Sequence, residues 1–470
     1  MELIIVVAYL LGMIAIGVVS TRKAKKADDF FVAGRKGSTL YVTGSLLATI
    51  IGASATVGMA GLGFSRGLTG AWWLLAGAVG LVILGLFIAK KVREYGVYTL
   101  PQMVRRMYDD KVALASSIFI VIAWVGVIAA QIIATGQIMS TLGIGTPVLW
   151  MIICTVVFIT YTILGGQYSV LRTDLVQIII IFVGIFGGLF FLLQHIGGPG
   201  ALKTALPADS FSFPVSSKFN GMALLSTLLL VGSTYIVGPD MYSRIFCARD
   251  AKTARESVLW AAALLVPFAL GITLIGMGAA VLSPSIASDQ AFPVVIRQVY
   301  PPLVSGIVLA ALLSAVMSSA VTCLLSTSTI LNVDIIKRIN PQLNEKQLVS
   351  FSRIGVVILG LGALILSLEV YTHAANGIIS TIMWAYTIFT TGVIVPIAFG
   401  FYKEKLKLTA AGAMAAVIGG GLAGLSSKIF THVKYLDIGA LAIAIVLLFT
   451  VSFIDTRLKN SKTARITDSE

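Results

Sequence analysis

Apolar residues in this chain do not alternate with polar ones at the period of a strand; they run on. Thirteen apolar runs fall at roughly 2–20, 40–64, 69–90, 112–138, 147–164, 172–194, 219–242, 256–282, 300–328, 350–370, 376–401, 408–427 and 436–454, with polar residues gathered between them. About 20 consecutive apolar residues cross a hydrocarbon core of about 30 Å as a helix. The strands of a membrane barrel would show period-two alternation in segments of about ten residues. The pattern predicts an all-α integral membrane protein of about 13 transmembrane helices.

Composition agrees. Hydrophobic residues make up 57% of the chain and charged residues 11%, against roughly 45–50% and about 25% in soluble domains. That leaves too little polar surface to cover the chain in water. The net charge of +14 would suggest nucleic acid if it formed a stripe on a polar module, but the charges sit in short loops between apolar runs. Cys154 and Cys323 lie inside runs and Cys247 in a basic loop, so no disulfide framework follows.

The run Leu3 to Val19 is preceded by Glu2 and followed by Arg22, Lys23, Lys25 and Lys26. A signal peptide carries its positive charge on the other side, so the run reads as a retained first span with its start outside. Alternating connections then place 28 of the 34 Lys and Arg in the cytoplasm. The exterior ones are Arg66, Lys203, Lys218, Arg297, Lys428 and Lys434. This is the split that the positive-inside bias predicts. Residues 1–458 read as a single transmembrane domain, and 459–470 as a polar, frayed cytoplasmic tail.

Two spans contain helix-breaking sequence. The second holds Gly44, Gly52, Gly58, Gly61 and Gly63 with hydroxyl residues between them; the seventh holds Gly232, Ser233, Thr234, Gly238 and Pro239. Irregular backbone at membrane depth is tolerated where it lines a cavity or binds an ion. The two spans are five apart, so they cross in opposite senses, as paired broken helices of two inverted repeats do in transporters. The plainer alternative is that small residues let helices pack closely.

Ionisable residues narrow the chemistry. None of the 20 Asp and Glu falls at the centre of a predicted span: Asp174 and Asp240 lie toward the cytoplasmic ends of the sixth and seventh, and Glu369 toward the outer end of the tenth. His195, His373 and His432 fall at exterior ends. A proton relay or a divalent-metal site would need such groups clustered within the bilayer. A monovalent cation needs only neutral oxygens. On the ninth span Ser314, Ser318 and Thr322 follow one another a turn apart and share a face, with Ser319 and Ser326 to Thr329 nearby. Serine in a helix can also simply bond its own carbonyl four residues back.

These residues resemble the sodium:solute symporter family. The resemblance lies in Ala27 to Arg35 (ADDFFVAGR), Ala48 to Gly61 (ATIIGASATVGMAG), Gly165-Gly166 with Thr173-Asp174, Arg244, and above all Ala310 to Lys337 (AALLSAVMSSAVTCLLSTSTILNVDIIK). It covers about residues 1–407. It implies a LeuT-type inverted 5+5 helix repeat of spans two to six and seven to eleven, with the N-terminus outside and the C-terminus cytoplasmic. It implies sodium as the coupling ion, held by the carbonyls of Ala48, Ile51 and Ala315 and the hydroxyls of Ser318 and Ser319. Asp174 matches an acidic residue on the sodium exit route; its position beside Thr173 at a helix N-terminus is also favourable to the helix dipole. Thr322 fits a second-ion position, but Val321 stands where a serine is expected, which implies one sodium per cycle.

Positions that are Asn, Glu or Gln in sugar-transporting relatives appear here as Ile50, Ser54 and Ala55. A sugar needs several convergent polar partners, so this departure argues against one. The small stretch Gly52, Ala53, Ser54, Ala55 suits a carboxylate at a half-helix N-terminus. The expected walls are Trp72, Trp73, Ser233, Thr234, Tyr235, Trp384 and Tyr386, with interfacial anchoring the alternative for Trp72. The expectation is a sodium-coupled symporter in the plasma (inner) membrane, multi-pass, importing an amino acid such as proline or a small monocarboxylate. Its expected partners are solute, sodium and the lipid bilayer, with no nucleic acid and no obligate protein partner evident. The alternatives are a sodium-coupled sugar or vitamin symporter or, from another class, a channel or membrane receptor. An intramembrane enzyme would need a nucleophile and base in reach, which the span centres lack.

Overall fold

The structure is a computed structural model that describes residues 1–21, 27–373, 378–429 and 436–467. Arg22, Lys23, Lys25, Lys26, His432 and Lys434 lie outside the described residues. Among those described, eleven helices are long and apolar enough to cross a membrane. Two of them are compound. Ser54–Glu94 turns at Gly67 (φ +65°) and Pro147–His195 at Gly166 (φ +53°), backbone angles that glycine adopts freely. The sequence runs beginning at 69 and 172 lie beyond these turns. Thr39–Ile50 is a shorter apolar helix that leads into Ser54–Gly58 across a break.

Burial orders the helices. In Pro302–Ile339, 94% of the apolar window is buried, which makes it the central helix; Glu2–Val19 at 28% and Leu436–Ser461 at 22% are peripheral. Apolar side chains left exposed, among them Phe87, Ile179, Ile358 and Val446, face outward, as expected of a protein whose solvent is hydrocarbon. Small residues set the tightest crossings. A Cβ on Gly276 would stand 1.9 Å from the Ala60 carbonyl oxygen, and one on Gly80 2.1 Å from that of Gly232.

The connections meet in two separate groups. At one end Gly37 N–H donates to Cys247 O (2.9 Å) and Arg249 N–H to Gly37 O (3.0 Å). There Arg35 also reaches Gly96 O (2.9 Å), Arg338 reaches Asp110 O (2.7 Å) and Lys403 reaches Met107 O (2.7 Å). At the other end Trp72 Nε1 donates to Pro214 O (2.8 Å) and stacks on Phe213, Lys218 donates to Ser65 O (2.9 Å), and Arg297 donates to Ser140 O (3.0 Å). No contact named here joins the two groups, and they are the two sets that charge distribution separates. Trp72 is thus held against the loop at Phe213 and Pro214 rather than serving as a cavity wall.

One expectation changes. The last helix, Leu436–Thr467, runs through most of the segment expected to fray. Lys459 and Asp455, one turn apart and 2.9 Å from each other, support that extension.

Single cysteines introduced beside Lys203 and beside Arg249 are expected to react with an impermeant thiol reagent from opposite faces of the membrane. Labelling of both from one face would contradict the grouping of the connections.

Candidate functional site

The site begins with backbone that cannot stay helical. After Ile50 the chain leaves the helix, with Ile51 at φ −82° and ψ 81°. In an unbroken helix the Gly52 and Ala53 amides would bond the Ala48 and Thr49 carbonyls. Instead Gly52 N–H donates to Ile50 O (3.0 Å) and Ala53 N–H to Gln131 Oε1 (2.8 Å). The two carbonyls thereby freed are met by the central helix. Ser318 Oγ lies 2.7 Å from Ala48 O, 2.7 Å from Ser314 O and 3.0 Å from Ala315 O; Ser319 Oγ lies 2.7 Å from Thr49 O and 3.3 Å from Ala48 O. A hydroxyl has one proton to give, so two protons face five close oxygen contacts. The cluster is rich in oxygen lone pairs, fully buried and without a formal charge.

Gly52 is required by this approach. A Cβ there would meet Ser319 Oγ at 2.5 Å and Gln131 Oε1 at 2.9 Å. Ile51, at the break itself, bonds its amide back to Leu47 O (2.8 Å) and its side chain is fully buried.

A second cluster adjoins the first. Arg244 and Asp174 have no exposed side-chain surface and pair at 3.4 Å. Ser45 Oγ donates to the same carboxylate oxygen. The guanidinium also donates to the Thr322 hydroxyl and, through Nε, to Thr49 Oγ1 (3.3 Å), which is 3.2 Å from Thr322 Oγ1. The two residues singled out for sodium exit or a second ion, Asp174 and Thr322, are therefore bridged by a side-chain cation. Sequence reasoning saw Arg244 as a motif residue but not as their partner.

Between the two broken helices lies a narrow cavity. One side is Thr49, Ile50, Gly52, Ser54 and Ser319; the other is Thr234, Tyr235, Asp240 and Met241; Gln131, Cys323 and Tyr386 help close it. The seventh segment breaks at Gly238 (ψ 132°) ahead of Pro239–Cys247, which brings Asp240 into the cavity. Of the expected wall residues, Ser54, Thr234, Tyr235 and Tyr386 line it together with Gly52. Ala53 and Ala55 are buried behind it, and Ser233 turns its hydroxyl back to the Leu229 carbonyl. Trp73 is buried in helix packing away from the lining. Trp384 is 38% exposed and lines a separate outer groove with Ile122, Gly126 and Leu366, because its helix turns the opposite face inward.

The residues missed were Gln131 and Asp240. Amides inside an apolar run are themselves a signal of intramembrane function; the run at 112–138 holds two, Gln131 and Gln137, of which Gln131 lines the cavity. Asp240 was counted as a helix-end residue, whereas it stands at the cavity. No cluster of three or more His, Cys, Asp or Glu able to hold a metal occurs among the described residues.

Residues 30–420 match the model of the sodium:solute symporter family. The chain is 28% identical over 373 residues to a sodium/glucose cotransporter of Vibrio parahaemolyticus, covering 71% of this chain and 68% of that protein. It is 25% identical over 462 residues to the high-affinity proline transporter PutP of Bacillus subtilis, covering 93% and 96%. A sodium/pantothenate symporter of Escherichia coli is 26% identical over 443 residues, covering 88% of each. Among solved structures, an outward-open, substrate-bound sodium-coupled sialic acid symporter superposes with a TM-score of 0.83 at 16% identity, over 96% of this chain and 98% of that one. The fold is shared.

The buried pair yields a prediction. Removing one partner leaves an uncompensated charge in a dry interior, at a cost of about 3–5 kcal/mol. Arg244→Met is expected to lose stability on that scale in thermal unfolding of the detergent-solubilised protein. Adding Asp174→Asn should recover part of the loss, since contacting residues couple. A loss below about 1 kcal/mol in the single variant would contradict the pairing.

Proposed function

The chain belongs to the sodium:solute symporter family, and we propose that it imports a small carboxylate-bearing solute together with sodium by alternating access. The solute class is an amino acid such as proline or a small monocarboxylate. In this reading the chain crosses the plasma (inner) membrane thirteen times, with its N-terminus outside and its C-terminus in the cytoplasm. Spans two to six and seven to eleven form inverted repeats.

The observation that supports it is the proton deficit around Ala48, Thr49, Ala315, Ser318 and Ser319. A desolvated cation needs several oxygen ligands whose lone pairs are not all occupied, and this cluster offers them at a helix break. Sodium would take the carbonyls of Ala48, Ile51 and Ala315 and the hydroxyls of Ser318 and Ser319. Binding there would pull the broken helix against the central one, on the same backbone that walls the cavity through Gly52 and Ser54. Coupling follows from that shared wall: each ligand stabilises the arrangement the other needs, and by linkage the effect is reciprocal. Arg244, bridging Asp174 and Thr322, supplies a fixed positive charge where a second ion would otherwise sit, which favours one sodium per cycle.

A carboxylate-bearing solute is favoured over a sugar by Ile50, Ser54 and Ala55, which stand where sugar-transporting relatives offer Asn, Glu or Gln as partners for sugar hydroxyls.

Ser318→Ala and Ser319→Ala each delete one oxygen, so half-saturating sodium in uptake assays is expected to rise on the order of tenfold or more. Apparent solute affinity should fall at fixed sodium and recover at high sodium. Ser326→Ala, two turns along the helix, serves as the control. Unchanged sodium dependence in both variants would remove the ion site from this cluster.

A further inference from the structure

The cavity contains a carboxylate that the ion cluster and the Arg244 network leave over. Asp240 sits in the first turn of Pro239–Cys247, and its side chain lines the same cavity as Ser54, Thr234 and Tyr386. Arg244, one turn along that helix, is the nearby cation that would neutralise it. Its Nη2 is instead held by Asp174 and Thr322 and its Nε by Thr49, and its Nη1, though left without a hydrogen-bond partner, makes no ion pair with Asp240. Asp240 enters no ion pair among the described residues, and no side chain there donates a hydrogen bond to it. An acid in a first helical turn is favourable to the dipole, which accounts for tolerance of the charge but not for its facing a cavity.

We propose that Asp240 is the recognition site for a cationic nitrogen on the transported solute. This rests on the proposed symport of a carboxylate-bearing solute, and it selects within that class. A bare monocarboxylate would place a second negative charge against Asp240 in a low-dielectric cavity. A zwitterion places its ammonium there and its carboxylate toward Ser54 and Gln131 on the opposite wall. The two broken helices then read the two ends of one molecule. Asp240 is half-buried, and until the solute arrives its carboxylate has backbone amides of its own helix turn and the charge of Arg244 at a distance, but no ion pair, to offset it. Its neutralisation supplies part of the free energy that holds the two broken helices together.

The experiment is a thermal-shift titration of the full-length protein in detergent, with sodium, against matched solutes: proline and cyclopentanecarboxylate, alanine and lactate, and glucose. The expected result is stabilisation by proline or alanine, with at least tenfold weaker binding of the partner lacking nitrogen. Asp240→Asn should abolish that preference and Asp240→Glu keep it, while sodium-induced stabilisation without solute changes less than twofold in both. Equal or tighter binding of cyclopentanecarboxylate or lactate would overturn the assignment of Asp240 while leaving carboxylate symport standing. Stabilisation by glucose alone, or by no solute in the set, would overturn the underlying reading and this one together. If Asp240→Asn raises the sodium requirement instead and leaves solute preference intact, Asp240 is an ion ligand and the proposal fails.

Discussion

A backbone carbonyl freed from its helix at membrane depth has no water to turn to, and this structure is arranged around two of them. The amides that would have held Ala48 O and Thr49 O are diverted to Ile50 O and Gln131. The hydroxyls of Ser318 and Ser319 take their place. Satisfying that debt fixes which face of the central helix points at the break. It also demands glycine at position 52, where any Cβ would collide with Ser319 and Gln131. The other broken helix closes the far side of the cavity so formed. An unbroken second helix would need neither the hydroxyls nor the glycine.

Charge is handled beside that neutral cluster rather than within it. Asp174 and Arg244 are both fully buried and are stable there because each is the other's partner, with Ser45, Thr49 and Thr322 completing the network. Thr49 belongs to both clusters, through its hydroxyl to Arg244 and through its carbonyl to Ser319. A movement of the first broken helix would therefore disturb both together. Under the proposed function, this is how an ion bound at neutral oxygens reaches the charged interior, and how Asp240 across the cavity comes to share its fate.

Much of this was legible in the sequence, and the parts that were not share a cause. The apolar runs and the basic loops gave the helices and their two ends, because length and charge need no knowledge of rotation about the helix axis. The breaks were legible because glycine and proline state backbone conformation directly. Ser318 and Ser319 stood out because the ninth run carries hydroxyls at helical spacing. A helix that is apolar all round carries no such mark of which face turns inward. Trp384 was therefore assigned to the cavity and stands outside it, while Gln131, one of two amides on its helix, was passed over. The Arg244 bridge joins residues 70 and 78 positions apart, a pairing no local pattern encodes.

The central claim is that solute movement is driven by sodium, and gradient-driven accumulation tests it most directly. Purified protein in proteoliposomes would be given an inward sodium gradient and a mixture of radiolabelled amino acids. The account predicts that label rises above the bath concentration and falls back when a sodium ionophore collapses the gradient. Label that merely equilibrates with the bath, at the same rate with or without the gradient, would contradict it.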